Sequence, residues 1–168
     1  ETRWYSFSVA KSVVSMLIGA AVRDGYISSL DASVTDYLPV LAGSAYEDVS
    51  IRDAMQMASG VAWNENYTDP QSDIASTGGS VLDRLRYLRN KSRVAPPGDI
   101  FNYNTAETNL LGAVLRAAIG NNLSAYLEHK VWLPFGMEHD ANWLLLAPGG
   151  AEHAGCCLSA TLRDYGRI

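Results

Sequence analysis

Cysteine is nearly absent from this sequence: 168 residues hold two, Cys156 and Cys157, side by side. Neighbouring residues rarely meet disulfide geometry without backbone strain, so a disulfide framework is excluded. The pair reads as two small buried residues, which suits a reducing, cytoplasmic address. Basic residues are scarce as well. Lys and Arg number 13 against 18 Asp and Glu, a net charge of −5, and phosphate binding needs clustered cations, so a nucleic-acid partner is excluded. The one cluster, Arg84, Arg86, Arg89, Lys91 and Arg93, alternates with Leu and Tyr like the solvated face of a helix. No apolar run is long enough for a membrane span, which takes about 20 residues; the longest, over 13–22, is a buried helix. Histidine is sparse, and His129, His139 and His153 show no metal-ligand spacing. Internal repeats, low-complexity tracts and hairpin signals are missing too. No metal or organic cofactor is implied.

What is present is a chain 48% hydrophobic, enough for one core. Ser8 can cap a helix over 9–24, with Gly25 as the residue that stops it. Ser50 and Gly60 bracket a brief helix, residues 63–80 form a long loop rich in Asn, Asp, Ser and Gly, and residues 81–90 form a helix. "TAETNLLGAVLRAAIG" is a strong amphipathic helix ended by Gly120, and "NLSAYLEHKVWLPFGM" is another, capped by Asn122 or Ser124 and broken at Pro134. "ANWLLLAPGGAEHAGCCLSATLRDYGRI" holds a short strand before a final helix, whose first turns are "SATLRDYGRI". The chain begins "ETRWYSFS" rather than with Met and stops within that helix, which reads as a domain with segments missing at both ends.

Two places can carry chemistry. In "SVAKSVVSMLIGAAV", Ser8 and Lys11 stand three apart and share a helix face, so a lysine amine can lie beside a serine hydroxyl. An apolar setting disfavours an ammonium relative to the free amine, and a free amine can take the proton that makes serine a nucleophile. The plain alternative is that Ser8 only caps the helix and Lys11 reaches out to water. Against it, Lys11 is the only charge between Arg3 and Arg23. The second place is "FNYNTAETNLLG", where Tyr103 closes an extended piece just before a helix. A phenol there can relay a proton if an amine stands near; as a lone residue it would be a packed aromatic. Glu65, Asp69 and Asp73 could meet a substrate ammonium, with a solvated loop as the plainer account.

"SVAK" opening an apolar helix, "PPGDIFNYNTAETNLLG", "WLPFGM" and "LSATLRDYGRI", in that order, resemble the serine β-lactamase and penicillin-binding-protein superfamily, and within it the class-C-like esterase and amidase branch. "GSAYEDVSIRDAMQMASGVAWNENYTDPQSD" resembles the 6-aminohexanoate-dimer hydrolases that cleave nylon oligomers. The resemblance implies an α+β fold, the β-lactamase/transpeptidase-like fold, of which residues 1–168 carry mainly the helical region as one partial domain, mostly α as it stands. It implies Ser8 as nucleophile, Lys11 as its base and Tyr103 as the proton relay. It places Tyr67 on a loop that closes over the substrate, and Asn104 beside it as a second substrate-binding residue.

Two departures qualify the match. Relatives that act on β-lactams often carry Tyr-x-Asn, whereas Thr105 holds the third position here and Asn104 comes one place early. No Lys-Thr-Gly-like strand is found in the chain. The reading is therefore a serine hydrolase working through an acyl-enzyme on a linear amide or a carboxylic ester. The alternative is a penicillin-binding or sensor-type module that acylates or binds without turnover. The expected partners are a small-molecule substrate, the missing sheet segments, and a second copy of the chain if it dimerises.

Overall fold

The computed structural model describes residues 2–168, and its framework is two long helices crossed by short ones, with a small sheet at one end. Strand β1 (Arg3–Tyr5) leads through a 3-10 turn, Phe7–Val9, into α1 (Ala10–Arg23). Short helices α2 (Ile51–Met55) and α3 (Asp73–Ser76) precede α4 (Val81–Arg89) and the long α5 (Thr105–Ile119). Then come α6 (Leu123–Leu127), a π-helical turn at Glu128–Trp132, strands β2 (Asn142–Trp143) and β3 (Leu158–Thr161), and α7 (Leu162–Tyr165).

The core is built where α1 packs against α5. Ala10, Val13, Val14, Leu17, Ile18 and Ala21 recur at helical spacing on α1 and are all fully buried, as are Val114 and Leu115 on α5. Each large side chain buried in this way contributes about 1.5–3 kcal/mol. The helix ends follow local rules. Ser50 with Asp53 and Ser80 with Asp83 form capping boxes at α2 and α4, and Gly120, at φ 65°, closes α5 by donating its N–H to Arg116 O.

Several expectations are corrected. Ser8 is not the cap of a helix over 9–24; it lies inside the 3-10 turn Phe7–Val9, which runs directly into α1 at Ala10. The helix anticipated over "NLSAYLEHKVWLPFGM" is present as expected, capped by Asn122 and ending just before Pro134; only its second half, Glu128–Trp132, is π-helical rather than α. The residues before Ser8 are a strand that carried no sequence signal, because three exposed residues are too few to show a period. β1 pairs antiparallel with β3, Trp4 opposite Ala160, and β3 pairs antiparallel with β2, giving the order β1-β3-β2. The basic cluster on and after α4 is not a free solvated face. Lys91 pairs with Asp73, Arg93 with Asp48, and Arg89 donates to Val40 O at 2.6 Å, so these cations tie the 40–48 and 64–73 loops to the helix.

Cys156 and Cys157 are joined by a disulfide and are only half-buried, against the expectation of two free, buried thiols. Cys157 has a φ of 75°. Among the described residues no helix is long and apolar enough to cross a membrane, and no group of His, Cys, Asp and Glu is placed to hold a metal ion.

Candidate active site

Ser8 is presented by a sharp backbone reversal. Phe7, the residue before it, has a φ of 45°, a conformation that non-glycine residues rarely adopt and that concentrates at functional sites. Two contacts from β3 and the residue before it hold the reversal in place. Ser6 N donates to Leu158 O at 2.7 Å, and Cys157 N donates to Phe7 O at 3.3 Å. Nothing in the sequence signals this turn, since phenylalanine has no preference for positive φ.

Lys11, one turn into the chain beyond Ser8, is half-buried. Its Nζ donates to Ser8 Oγ at 3.1 Å and to Gly155 O at 2.7 Å. Gly155 is held in turn by α5: its N–H donates to Asn109 Oδ1 at 3.2 Å. A side chain at position 155 would press on Thr105, with a Cβ 2.7 Å from Thr105 Cγ2, so only glycine lets this carbonyl come close. Gly155 and Asn109 were not singled out from sequence, and no local pattern could have found them.

Tyr103, from the far side of the cleft, donates its hydroxyl to Ser8 Oγ at 2.9 Å, and Lys11 Nζ lies 5.2 Å from the centre of its ring. The structure thus brings Ser8, Lys11 and Tyr103 onto one exposed oxygen. An amine and a phenol on one serine hydroxyl can remove its proton and return a proton to a departing group.

Asn104 lies elsewhere. It is 1% exposed, and its side chain caps α5, accepting from Ala106 N at 2.9 Å and Glu107 N at 3.2 Å. So buried, it does not line the open cleft as the expected substrate contact would: the helix start uses its oxygen. Tyr67 is 70% exposed on its loop and donates to Glu65 Oε1 at 2.6 Å. Glu65 and Asp73 are not solvated. Glu65 accepts from Thr105 N at 3.0 Å and from Thr105 Oγ1 and Trp63 Nε1, and Asp73 accepts from Tyr87, Lys91 and Asn64 N. Burial pushes the Glu65 carboxyl up, but the hydrogen bonds from Thr105, Tyr67 and Trp63 outweigh it and hold the group below the ordinary carboxylate range.

Beneath Tyr103 and Asn104 sits Glu107, 1% exposed, with Ser59 and Tyr46 donating to Oε1 and no hydrogen-bond partner for Oε2. Burial pushes this carboxyl up to about 8, against the opposing effect of the Ser59 and Tyr46 hydrogen bonds. The folded chain therefore keeps a proton that the unfolded chain has released. Glu107's contribution to stability is full below its ordinary value of 4.5 and is lost as pH rises through about 8. Glu107→Gln, which cannot ionise, should remove this part of the pH dependence. Denaturant midpoints between about pH 5 and about pH 9 should show the parent losing on the order of 4 kcal/mol more than the variant. Parallel curves would show that Glu107 does not titrate as described.

The β-lactamase family profile matches residues 1–165. The 6-aminohexanoate-dimer hydrolase of Paenarthrobacter ureafaciens is 28% identical over 178 aligned positions; the alignment takes in all of this chain and 45% of that protein, so the chain spans about half of the relative's length. Among solved structures, a Bacteroides dorei protein provisionally assigned as a β-lactamase superposes with a TM-score of 0.79 at 26% identity, over 99% of this chain and 49% of that one. The penicillin-binding protein of Bacillus halodurans superposes with a TM-score of 0.78 at 22% identity, over 99% of this chain and 59% of its own, a likeness of fold. With the family profile matching residues 1–165 of 168, the chain belongs to the β-lactamase family.

Proposed function

We propose that this chain carries the acylation site of a serine hydrolase acting on a linear amide, such as a 6-aminohexanoate oligomer, or on a carboxylic ester. The observation that carries the reading is the convergence of Lys11 Nζ and Tyr103 Oη on Ser8 Oγ, at 3.1 and 2.9 Å. The kinship with a 6-aminohexanoate-dimer hydrolase supports the linear-amide substrate.

In this mechanism the free amine of Lys11, aimed by Gly155 O, takes the Ser8 proton as Oγ attacks the substrate carbonyl. The tetrahedral intermediate collapses when Tyr103 gives its hydroxyl proton to the leaving nitrogen or oxygen and is reprotonated from Lys11. The C–N or C–O bond breaks, and an ester of Ser8 remains. Water then enters, gives a proton to the same pair, and its oxygen displaces Ser8 to release the acid. The proton taken from Ser8 thus departs on the amine or alcohol, and the proton taken from water is passed back to Ser8 Oγ as it leaves the acyl carbon, which restores the site.

The test is intact mass after treatment of the intact protein with a serine-directed phosphonate. One equivalent should add to the parent and none to Ser8→Ala, and the parent should turn over a short-chain chromogenic ester. Equal labelling of parent and Ser8→Ala would remove Ser8 from its role. One equivalent of a substrate acyl group on Ser8 without release would favour a sensor over a hydrolase.

A further inference from the structure

The acceptor that holds Lys11 is a backbone carbonyl, and Gly155 has no side chain with which to anchor it. Gly155 is buried in a turn closed by Cys156 N, which donates to His153 O at 3.1 Å. Two side chains from outside grip this turn. From α5, Asn109 Oδ1 accepts from Gly155 N at 3.2 Å while Asn109 Nδ2 donates to Thr105 O at 3.3 Å. From β2, Trp143 Nε1 donates to His153 O at 3.1 Å and to Cys156 O at 3.2 Å.

The face of α5 under the turn is shaped as a seat. Thr105, Asn109 and Gly112 stand four and then three residues apart, on one side of the helix. Gly112 leaves room for the residue before Gly155: a Cβ at position 112 would lie 2.5 Å from that of Ala154. Asparagine suits both of its bonds at once. With its amide turned over, the nitrogen would meet the Gly155 N–H and the oxygen would meet the Thr105 carbonyl, so the two contacts fix its orientation. The same helix starts two residues after Tyr103. One rigid element therefore stands behind both groups on Ser8 Oγ, behind Tyr103 through the chain and behind Lys11 through Asn109 and Gly155.

Resting on the serine-hydrolase reading above, we propose that Asn109 and Trp143 are positioning residues for acylation: they set the 153–156 turn so that Gly155 O takes one Lys11 N–H and leaves the amine lone pair to Ser8. Each acts through Lys11 rather than on the substrate. A displacement of about 1 Å in a reacting group can cost about a hundredfold in rate, and the long lysine side chain follows whatever holds its tip.

The experiment measures kcat and KM of the intact protein on a short-chain chromogenic ester, together with the rate and final extent of phosphonate labelling of Ser8. Asn109→Leu keeps the bulk of the side chain and removes both hydrogen bonds. It should lower kcat and the labelling rate about a hundredfold, with KM within about threefold of the parent. Trp143→Phe keeps an aromatic ring, removes the donor and should lower both rates about tenfold; it decides the matter where Asn109→Leu does not fold. Labelling run to completion should still reach one equivalent in each folded variant, which separates a misplaced base from a loss of folded protein. Adding Lys11→Arg to Asn109→Leu should slow labelling no further than Lys11→Arg alone, since Asn109 acts through the lysine. Parent-like rates in the folded variants, a loss confined to KM, a fall in rate matched by a fall in final extent, or additive losses in the double variant would overturn the inference. The parent separates the two levels. One equivalent on its Ser8 with unchanged rates in the variants removes only the role of Asn109 and Trp143, whereas an unlabelled, inactive parent removes the serine-hydrolase reading and this inference with it.

Discussion

Lys11→Arg should abolish acylation while the chain stays folded. Arginine keeps the positive charge and enough length to reach Gly155 O, so a lysine that only filled a structural role would be replaced at small cost. A guanidinium does not give up its proton in a protein, so it cannot accept one from Ser8. The Ser8 hydroxyl would then keep its proton and its poor nucleophilicity. Loss of the base in a comparable nucleophile pair costs several orders of magnitude, and a fall in kcat/KM of at least about a thousandfold is expected. Both the burst and the steady state of chromogenic ester hydrolysis should vanish, with phosphonate labelling of Ser8 slowed in proportion. A folded Lys11→Arg protein within about tenfold of the parent would show that Lys11 is a hydrogen-bond donor and not the base.

Gly60→Ala should be among the most damaging single-methyl additions, and it lies well away from Ser8 in sequence. Gly60 has a φ of 70°, which costs an L-residue about 1–2 kcal/mol. The added Cβ would also sit on the carbonyl of Ala95, 2.8 Å from its carbon, where backbone rather than a mobile side chain must give way. That backbone begins the irregular, turn-containing segment that leads to Tyr103. Gly60 O accepts from Val94 N at 2.8 Å, Ala58 O from Gly98 N at 2.7 Å, and Met57 O from Asn102 N at 2.8 Å. A total cost of at least about 3 kcal/mol is expected, which for a chain of this size lowers Tm by about 6–12 °C. Activity should fall further than stability alone explains, because Tyr103 moves with its segment. Gly25→Ala is the control. Its φ is 80° but nothing lies within 4 Å of its Cβ, so it should cost only the conformational part. Melting of Gly60→Ala within about 2 °C of the parent, with parent-like turnover, would refute the account.

The long helices were legible because their signal is local. The spacing of Val13, Val14, Leu17 and Ile18, and the run from Thr105 to a left-handed Gly120, state a buried face and a stop without reference to any distant residue. Ser8 and Lys11 were legible for the same reason, being three apart, although the turn that holds Ser8 proved to be 3-10 rather than the start of α1. The strands were hard to read: runs of two to four residues carry no measurable alternation, and they are strands only because β3 lies between β1 and β2. Asn104 was misplaced because a substrate contact and a helix cap ask for the same residue type; burial under Tyr103 decides for the cap.

By itself, then, the sequence determined the helical framework, the Ser8–Lys11 pair and the resemblance that pointed to Tyr103. Tertiary structure alone decided the rest. It bent Phe7 to a φ of 45° against the residue before β3, brought Gly155 O to 2.7 Å from Lys11, and closed Glu65 over Thr105. The physical reason is range. Helix periods and caps arise from residues a few positions apart, whereas Tyr103 and Ser8, and Gly155 and Lys11, meet across 95 and 144 positions only because α1 and α5 share one core.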